Sequence, residues 1–200
     1  GDLVLALVLV LRGRGLGGVR EIARSRAGWL AAAGAAAYQP FFFAGIMLAG
    51  VPLGTLVAVG SAPLFTGLLG WTVRGERPSG GWLAATAICV AGLGLITGAG
   101  AAAGSLAGLA LTAGAGLSIA AYTVAAKTLL ARGRETLEVT ASAFLLGSVV
   151  MVPVAAVLGL GWLLQPAGAL VAAYLGIATM GVANVWYASG LGRLPSATTA

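Results

Sequence analysis

Few side chains in this 200-residue chain could bind or transform a ligand, and several of those lie inside long uncharged stretches. A phenol or an amide there is a candidate ligand-binding group, because burying it without a hydrogen-bond partner is costly. Pro40 supports the first two candidates, since it removes a backbone donor and should kink a helix beside them. The candidates are Tyr38, Gln39, Tyr122, Asn184 and Tyr187. The alternative for each is a hydrogen bond that only holds neighbouring helices together.

The groups that catalysis usually needs are missing from the sequence. There is no histidine and only one cysteine, Cys89, which excludes an internal disulfide and a metal site built on histidines or several cysteines. No predicted span contains a pair of carboxylates, and the phosphate-binding pattern GxxxxGK[ST] is absent. We therefore predict that the protein has no catalytic residue, no metal and no cofactor, and that it is not an enzyme.

The elements that position these residues are membrane-spanning helices. The chain is 60% hydrophobic and 8% charged, with a mean hydropathy of +1.02, which no soluble domain of this size would show. Three uncharged runs of 47, 49 and 54 residues dominate, and each fits two spans of roughly 20 residues with a turn between them. The predicted spans are 28–49, 52–73, 80–99, 104–127, 138–159 and 167–191. Because the apolar stretches at both ends are too short to cross, we expect a chain truncated at both ends.

Charged and uncharged junctions alternate along the sequence. All 11 Lys and Arg residues fall in every second junction, which the positive-inside rule places in the cytoplasm. The first of these loops, Arg12–Arg26, holds five arginines, which either set the topology or bind anionic lipid. Aromatic residues predicted at the membrane–water boundaries are Trp29, Trp71, Trp82 and Trp162. Glycine pairs at GxxxG spacing predict close helix contacts at Gly50/Gly54, Gly94/Gly98, Gly100/Gly104 and Gly104/Gly108.

One segment resembles a known family. A span with an internal Pro63 ends at Gly75-Glu76-Arg77, and a glycine-rich span with Ala91-Gly-Leu-Gly-Leu-Ile96 follows it. This pattern is similar to the fourth and fifth helices of the drug/metabolite transporter superfamily, in its ten-helix EamA branch. Gly104–Lys127, with Ala120-Ala-Tyr-Thr-Val124, resembles that family's sixth helix.

The resemblance implies an all-α, polytopic transmembrane helix bundle of two inverted five-helix repeats. Residues 1–99 would be the end of the first repeat, helices 2–5, and residues 100–200 the start of the second, helices 6–9. It also implies a secondary transporter in the inner (cytoplasmic) membrane that exports a small metabolite or drug-like compound by alternating access. The expected partners are that substrate and the lipid bilayer, with no nucleic acid, and a homodimer is allowed. The alternative is a membrane protein that does not transport, either a scaffold subunit or a lipid-modifying enzyme.

Overall fold

The computed structural model describes residues 17–77, 79–98, 105–159, 161 and 165–182, and these residues are organised as helices. The helices are α1 (Gly17–Ala23), α2 (Arg26–Ala49), α3 (Val51–Arg74), α4 (Gly80–Gly98), α5 (Leu106–Leu130), α6 (Thr136–Leu158) and α7 (Pro166–Tyr174), which continues as a π-helix over Leu175–Val182. The all-α transmembrane fold is therefore confirmed. Four helices of the described part are long and apolar enough to cross a membrane: α2, α3, α5 and residues Thr136–Ala155 of α6. Two shorter apolar stretches lie in α4 and α7.

The predicted span boundaries agree with the helices. The first five spans match α2 to α6 within three residues at each end, and the sixth begins one residue from Pro166. Glycine explains the sharpest stops, because Gly50 and Gly75 adopt φ angles of 82° and 70°, which other residues rarely do. The π-helical turn was not expected from the sequence, and the predicted end of the sixth span lies outside the described residues.

The chain forms two compact units. Unit 1 contains the described residues up to Ala32 and from Thr128 onward, and unit 2 is Ala33–Lys127. This division follows packing rather than sequence repeats, so the predicted repeat boundary at 99/100 stays a prediction.

In unit 2, α2 and α5 run antiparallel at very short distance. A Cβ atom placed at Gly34 would lie 2.6 Å from the carbonyl oxygen of Ser118 and 2.7 Å from the amide nitrogen of Tyr122. Further along the same pair of helices, a Cβ at Gly108 would lie 2.6 Å from the amide nitrogen of Ala49. Since real Cβ contacts are longer than 3.0 Å, only glycine permits this approach of the two backbones.

The helix α3 packs on α5 in the parallel direction and on α4 in the antiparallel direction. A Cβ at Gly116 of α5 would lie 2.9 Å from the carbonyl oxygen of Ala58 in α3. On its other side, α3 meets α4, where Cys89 donates a weak hydrogen bond to the carbonyl of Gly60 over 3.7 Å. Glycines therefore bring the four helices of unit 2 together.

Unit 1 is centred on the short helix α1. Its Ile22 is 2% exposed, and α1 packs against α6. The start of α2 adds Gly28, where a Cβ would lie 2.8 Å from the Ile22 side chain. The charged loops before α2 and before α6 thus come together, as charged junctions on one side of a membrane should.

Candidate functional site

A cavity of about 410 Å³ opens among the four helices of unit 2. It is bounded by aromatic, small and hydroxyl-bearing side chains, and we call it the aromatic cavity. Its walls are Tyr38, Ala58, Val59, Ala62, Pro63, Thr66, Trp82, Ile119 and Thr123. These residues come from α2, α3, α4 and α5, so no single stretch of sequence contains the site.

Two ring systems give the aromatic cavity its character. The ring of Tyr38 stacks on Phe42, one helical turn away, with centroids 5.6 Å apart and planes 14° from parallel. This stacking restricts the positions that the Tyr38 ring can take. The ring of Trp82 lies over Gly67, where a Cβ atom would overlap it. Glycine at position 67 therefore allows the indole to contact the α3 backbone.

Pro63 shapes the middle of α3 at the cavity wall. A proline inside a helix has no N–H to donate to the carbonyl four residues earlier, which here belongs to Val59. Both residues line the cavity. The Val59 carbonyl therefore receives no amide donor from residue 63, which weakens the helix at this point.

The hydroxyl groups of the cavity are held by their own helices. Thr66 Oγ1 donates to the Ala62 carbonyl at 2.8 Å, and Thr123 Oγ1 donates to the Ile119 carbonyl at 2.8 Å. Each hydroxyl keeps acceptor capacity for another donor. Among the described residues, none that lines the aromatic cavity carries a charge. The site is therefore suited to an apolar or aromatic body with few polar groups.

The structure places the predicted ligand-binding residues in different surroundings. Tyr38 lines the aromatic cavity, whereas Gln39 is exposed and is not part of its wall. Tyr122 is half-buried, and its backbone lies against Gly34. Asn184 and Tyr187 lie outside the described residues. The ligand-binding role of all five thus stays a prediction, and of the three that the structure describes only Tyr38 lines this cavity.

Sequence reasoning missed most of the cavity wall. Trp82 was assigned to the membrane–water boundary, and Pro63 was noticed only as part of a family pattern. Thr66 and Thr123 gave no signal, because a threonine that bonds to its own helix is common in apolar helices. One clue was available in the sequence. Gly67 and Trp82 lie on consecutive helices, and a large ring can contact the backbone of a neighbouring helix only where that helix has a small residue.

A second cavity of about 280 Å³ lies in unit 1, and we call it the arginine cavity. Its walls are Glu21, Ile22, Arg24, Ser25, Leu129, Arg132 and Arg134. Arg134 forms an ion pair with Glu21. Ser25 Oγ accepts a hydrogen bond from the Gly28 amide at 3.0 Å and donates one to the Ile22 carbonyl at 2.8 Å, so it caps the start of α2.

A charged turn follows α3 in unit 2. Arg74 Nε donates to Glu76 Oε1 at 2.6 Å across the left-handed Gly75. This hydrogen bond to Arg74 holds the pKa of the Glu76 carboxyl below its ordinary value of 4.5, and the charge of Lys127 contributes in the same direction. Lys127 lies on α5 at the end of unit 2, and its positive charge attracts the Glu76 carboxylate in the turn after α3.

Comparison with known proteins gives two similarities. Residues 106–200 match the EamA-like transporter family. The chain is also 32% identical over 169 residues to a Bacillus subtilis (strain 168) protein named uncharacterized transporter YwfM. The aligned part is 84% of this chain and 57% of that relative, so the chain spans little more than half the relative's length. No solved structure matches the chain.

Proposed function

This chain belongs to the EamA-like transporter family, and on that premise we propose that it is a secondary transporter for a small metabolite or drug-like compound. The proposal includes its direction and mechanism: export across the bacterial cytoplasmic membrane by alternating access. Two similarities support transport, namely the family match over residues 106–200 and the relative named as a transporter. The apolar helices supply the multi-pass membrane fold that this activity requires.

The aromatic cavity is the observation that carries the proposal. Pockets for small molecules commonly measure about 300–1,000 Å³ and are mostly apolar with a few polar groups. The aromatic cavity measures about 410 Å³, and its polar groups are the Tyr38 phenol, the Trp82 indole and two threonine hydroxyls. Such a wall favours a substrate with an aromatic or aliphatic body.

Each polar group has a role in this proposal. The Tyr38 hydroxyl would hydrogen-bond a polar end of the substrate, while the Trp82 ring would stack on its apolar body. Gln39, Tyr122, Asn184 and Tyr187 remain proposed ligands of the same substrate in other states of the transport cycle.

The proline in α3 offers a physical basis for movement. Because Pro63 interrupts the hydrogen bonds of α3, the helix can bend at the cavity with little loss of backbone bonding. Bending there would change the width of the aromatic cavity. We propose that this bend accompanies the opening of the cavity to alternate sides as the two inverted repeats rock.

Reconstitution tests the proposal directly. The natural protein is inserted in liposomes loaded with a pool of small metabolites and drug-like compounds, and the loss of each compound is followed by mass spectrometry. We expect one or a few apolar or aromatic compounds to leave faster than from protein-free liposomes. Trp82→Ala should slow that efflux about two- to tenfold at low substrate, from the roughly 0.5–1.5 kcal/mol that an aromatic contact contributes.

Trp71→Ala is the matched control. Trp71 lies just before the turn that Trp82 follows, but Trp71 is 54% exposed and does not line the cavity. We expect its efflux rate to equal that of the unchanged protein. Equal slowing by both substitutions would remove the aromatic cavity as the substrate site. Efflux no faster than from empty liposomes for every compound would contradict transport itself.

A further inference from the structure

The arginine cavity collects more positive than negative charge. Arg24, Arg132 and Arg134 face one acidic side chain, that of Glu21. Glu21 pairs with Arg134. Within the part of the chain that the structure describes, Arg24 and Arg132 form no ion pair, so two guanidinium groups at this cavity lack a neutralising carboxylate.

The two unneutralised arginines are held by ordered backbone. Arg132 precedes Gly133, whose φ of 79° closes α5 with a Schellman motif: the Gly133 amide donates to Leu130 at 2.9 Å and the Arg134 amide donates to Leu129 at 3.3 Å. On the other side, Arg24 donates its amide to the Glu21 carbonyl at 3.2 Å and is followed by the capping Ser25. A ligand entering the cavity would meet side chains whose backbone is already positioned.

We propose that the arginine cavity is a binding site for a phosphate group, with the guanidinium groups of Arg24 and Arg132 as its direct ligands. A planar guanidinium donates two parallel hydrogen bonds to phosphate oxygens, which a point charge cannot do. Arg134 is neutralised by Glu21, and this ion pair lies in the cavity wall beside the two direct ligands.

Two sources of phosphate fit this chemistry. The cavity lies at the charged ends of apolar helices, which the charge alternation places at the cytoplasmic surface, where anionic lipids carry phosphate headgroups. A soluble phosphate ion offers the same oxygens. The cavity volume of about 280 Å³ accommodates a phosphate group from either source.

The test measures binding to the natural protein in detergent by native mass spectrometry. Three ligands are titrated separately: a short-chain phosphatidylglycerol, a short-chain phosphatidylcholine and inorganic phosphate. We expect phosphatidylglycerol to bind more tightly than phosphatidylcholine. Arg24→Gln and Arg132→Gln should each weaken that binding about three- to tenfold, the loss of a charge-assisted hydrogen bond at a partly exposed site.

Arg20→Gln is the matched control, because Arg20 is an exposed arginine of α1 that does not line the cavity. It removes the same charge from the same unit, and we expect unchanged binding. Arg132→Lys serves as a second variant in case Arg132→Gln does not fold; it keeps the charge, loses the paired donors, and should still bind more weakly than the unchanged protein.

The outcomes separate the sources of phosphate. Binding of phosphatidylglycerol alone, weakened at Arg24 and Arg132, identifies a lipid headgroup site. Binding of inorganic phosphate with the same pattern of variants identifies a soluble anion site. Equal weakening by Arg20→Gln would show only diffuse attraction and overturn the proposal, as would the absence of binding by both anions.

Discussion

In unit 1 the arginine cavity is bounded by three guanidinium groups and one carboxylate, whereas in unit 2 the aromatic cavity has rings, small residues and hydroxyls along its walls. The first combines local contacts, the Ser25 cap and the Gly133 turn, with the ion pair between Glu21 and Arg134, which are 113 residues apart. The second depends on glycines, at which the backbones of α2, α3 and α5 approach closely and the Trp82 ring of α4 contacts α3. In unit 1, loops position the charged residues of the cavity. In unit 2, glycines, which have no side chain, allow the helices to form the aromatic cavity.

This difference has an energetic consequence. A capping hydroxyl contributes about 1 kcal/mol, and an exposed ion pair contributes less. A methyl group forced between two backbones costs about 1–3 kcal/mol, because neither backbone can move aside without displacing its whole helix. Adding a methyl group at a close-contact glycine of unit 2 should therefore be more damaging than removing the Ser25 cap or an exposed ion pair of unit 1.

The largest expected effect is all-or-none and concerns which side of the membrane each region faces. In a Cys89→Ala background, Arg24→Cys and Glu76→Cys should react with a membrane-impermeant thiol reagent only from the cytoplasmic side. Val51→Cys, at the uncharged start of α3, should react only from outside, because the charge alternation orients the helix that way. Labelling is measured in intact cells and in inverted vesicles. External labelling at position 76 would reverse the assigned orientation.

The next largest effect is on the packing of unit 2. Gly34→Ala places a Cβ 2.6 Å from the Ser118 carbonyl oxygen, so we expect the free energy of unfolding in detergent to fall by about 1–3 kcal/mol. A denaturant titration followed by circular dichroism measures it.

Gly92→Ala is the control for Gly34→Ala. A Cβ at Gly92 meets no described atom within 4 Å, and alanine favours a helix over glycine by up to about 1 kcal/mol. We expect unchanged or slightly increased stability. If the two substitutions had the same effect, close backbone contact would not be what holds α2 against α5.

These packing contacts mark the limit of what the sequence predicts. The span boundaries followed from uncharged run lengths, because crossing a bilayer fixes helix length before any neighbour is chosen. The spacing of glycines predicted the close helix contacts less accurately. The pairs at GxxxG spacing included two close contacts, Gly54 and Gly108, but a Cβ at Gly94 would meet no described atom, and Gly34 belongs to none of the four pairs.

The reason is that a helix with apolar residues on every face gives no periodic signal of which face meets a neighbour. Tyr38 is predicted to bind a ligand because a phenol is conspicuous in an apolar run. Trp82 is predicted only at the membrane boundary, because nothing in its own helix reveals that Gly67 lies opposite it. For the arginine cavity, the sequence predicted only that the junctions holding Arg24, Arg132 and Arg134 lie on one side of the membrane, and not that they form a cavity.

A smaller effect is expected where unit 1 depends on a single cap. Ser25→Ala removes the acceptor for the Gly28 amide and the donor to the Ile22 carbonyl, so the free energy of unfolding should fall by about 1 kcal/mol. Thr72→Ala is the comparison, because the exposed Thr72 hydroxyl donates to carbonyls of its own helix, and we expect a change within about 0.5 kcal/mol. Both are measured by the same denaturant titration. A loss at Ser25 as large as that at Gly34 would remove the energetic contrast between the two units.

The smallest effect concerns the exposed turn after α3. The hydrogen bond from Arg74 lowers the pKa of Glu76 below 4.5 in the folded protein. Its contribution to stability is therefore fully present above the unfolded pKa, and it is lost as the pH falls through the lowered folded value. In a ¹³C NMR titration of the carboxyl carbon, Arg74→Gln should move the Glu76 midpoint up toward 4.5. Arg77→Gln removes the same charge from the same turn without removing the Arg74 bond, and should leave the midpoint closer to that of the unchanged protein. A Glu76 midpoint at or above 4.5 in the unchanged protein would show that the ion pair between Arg74 and Glu76 does not persist in solution.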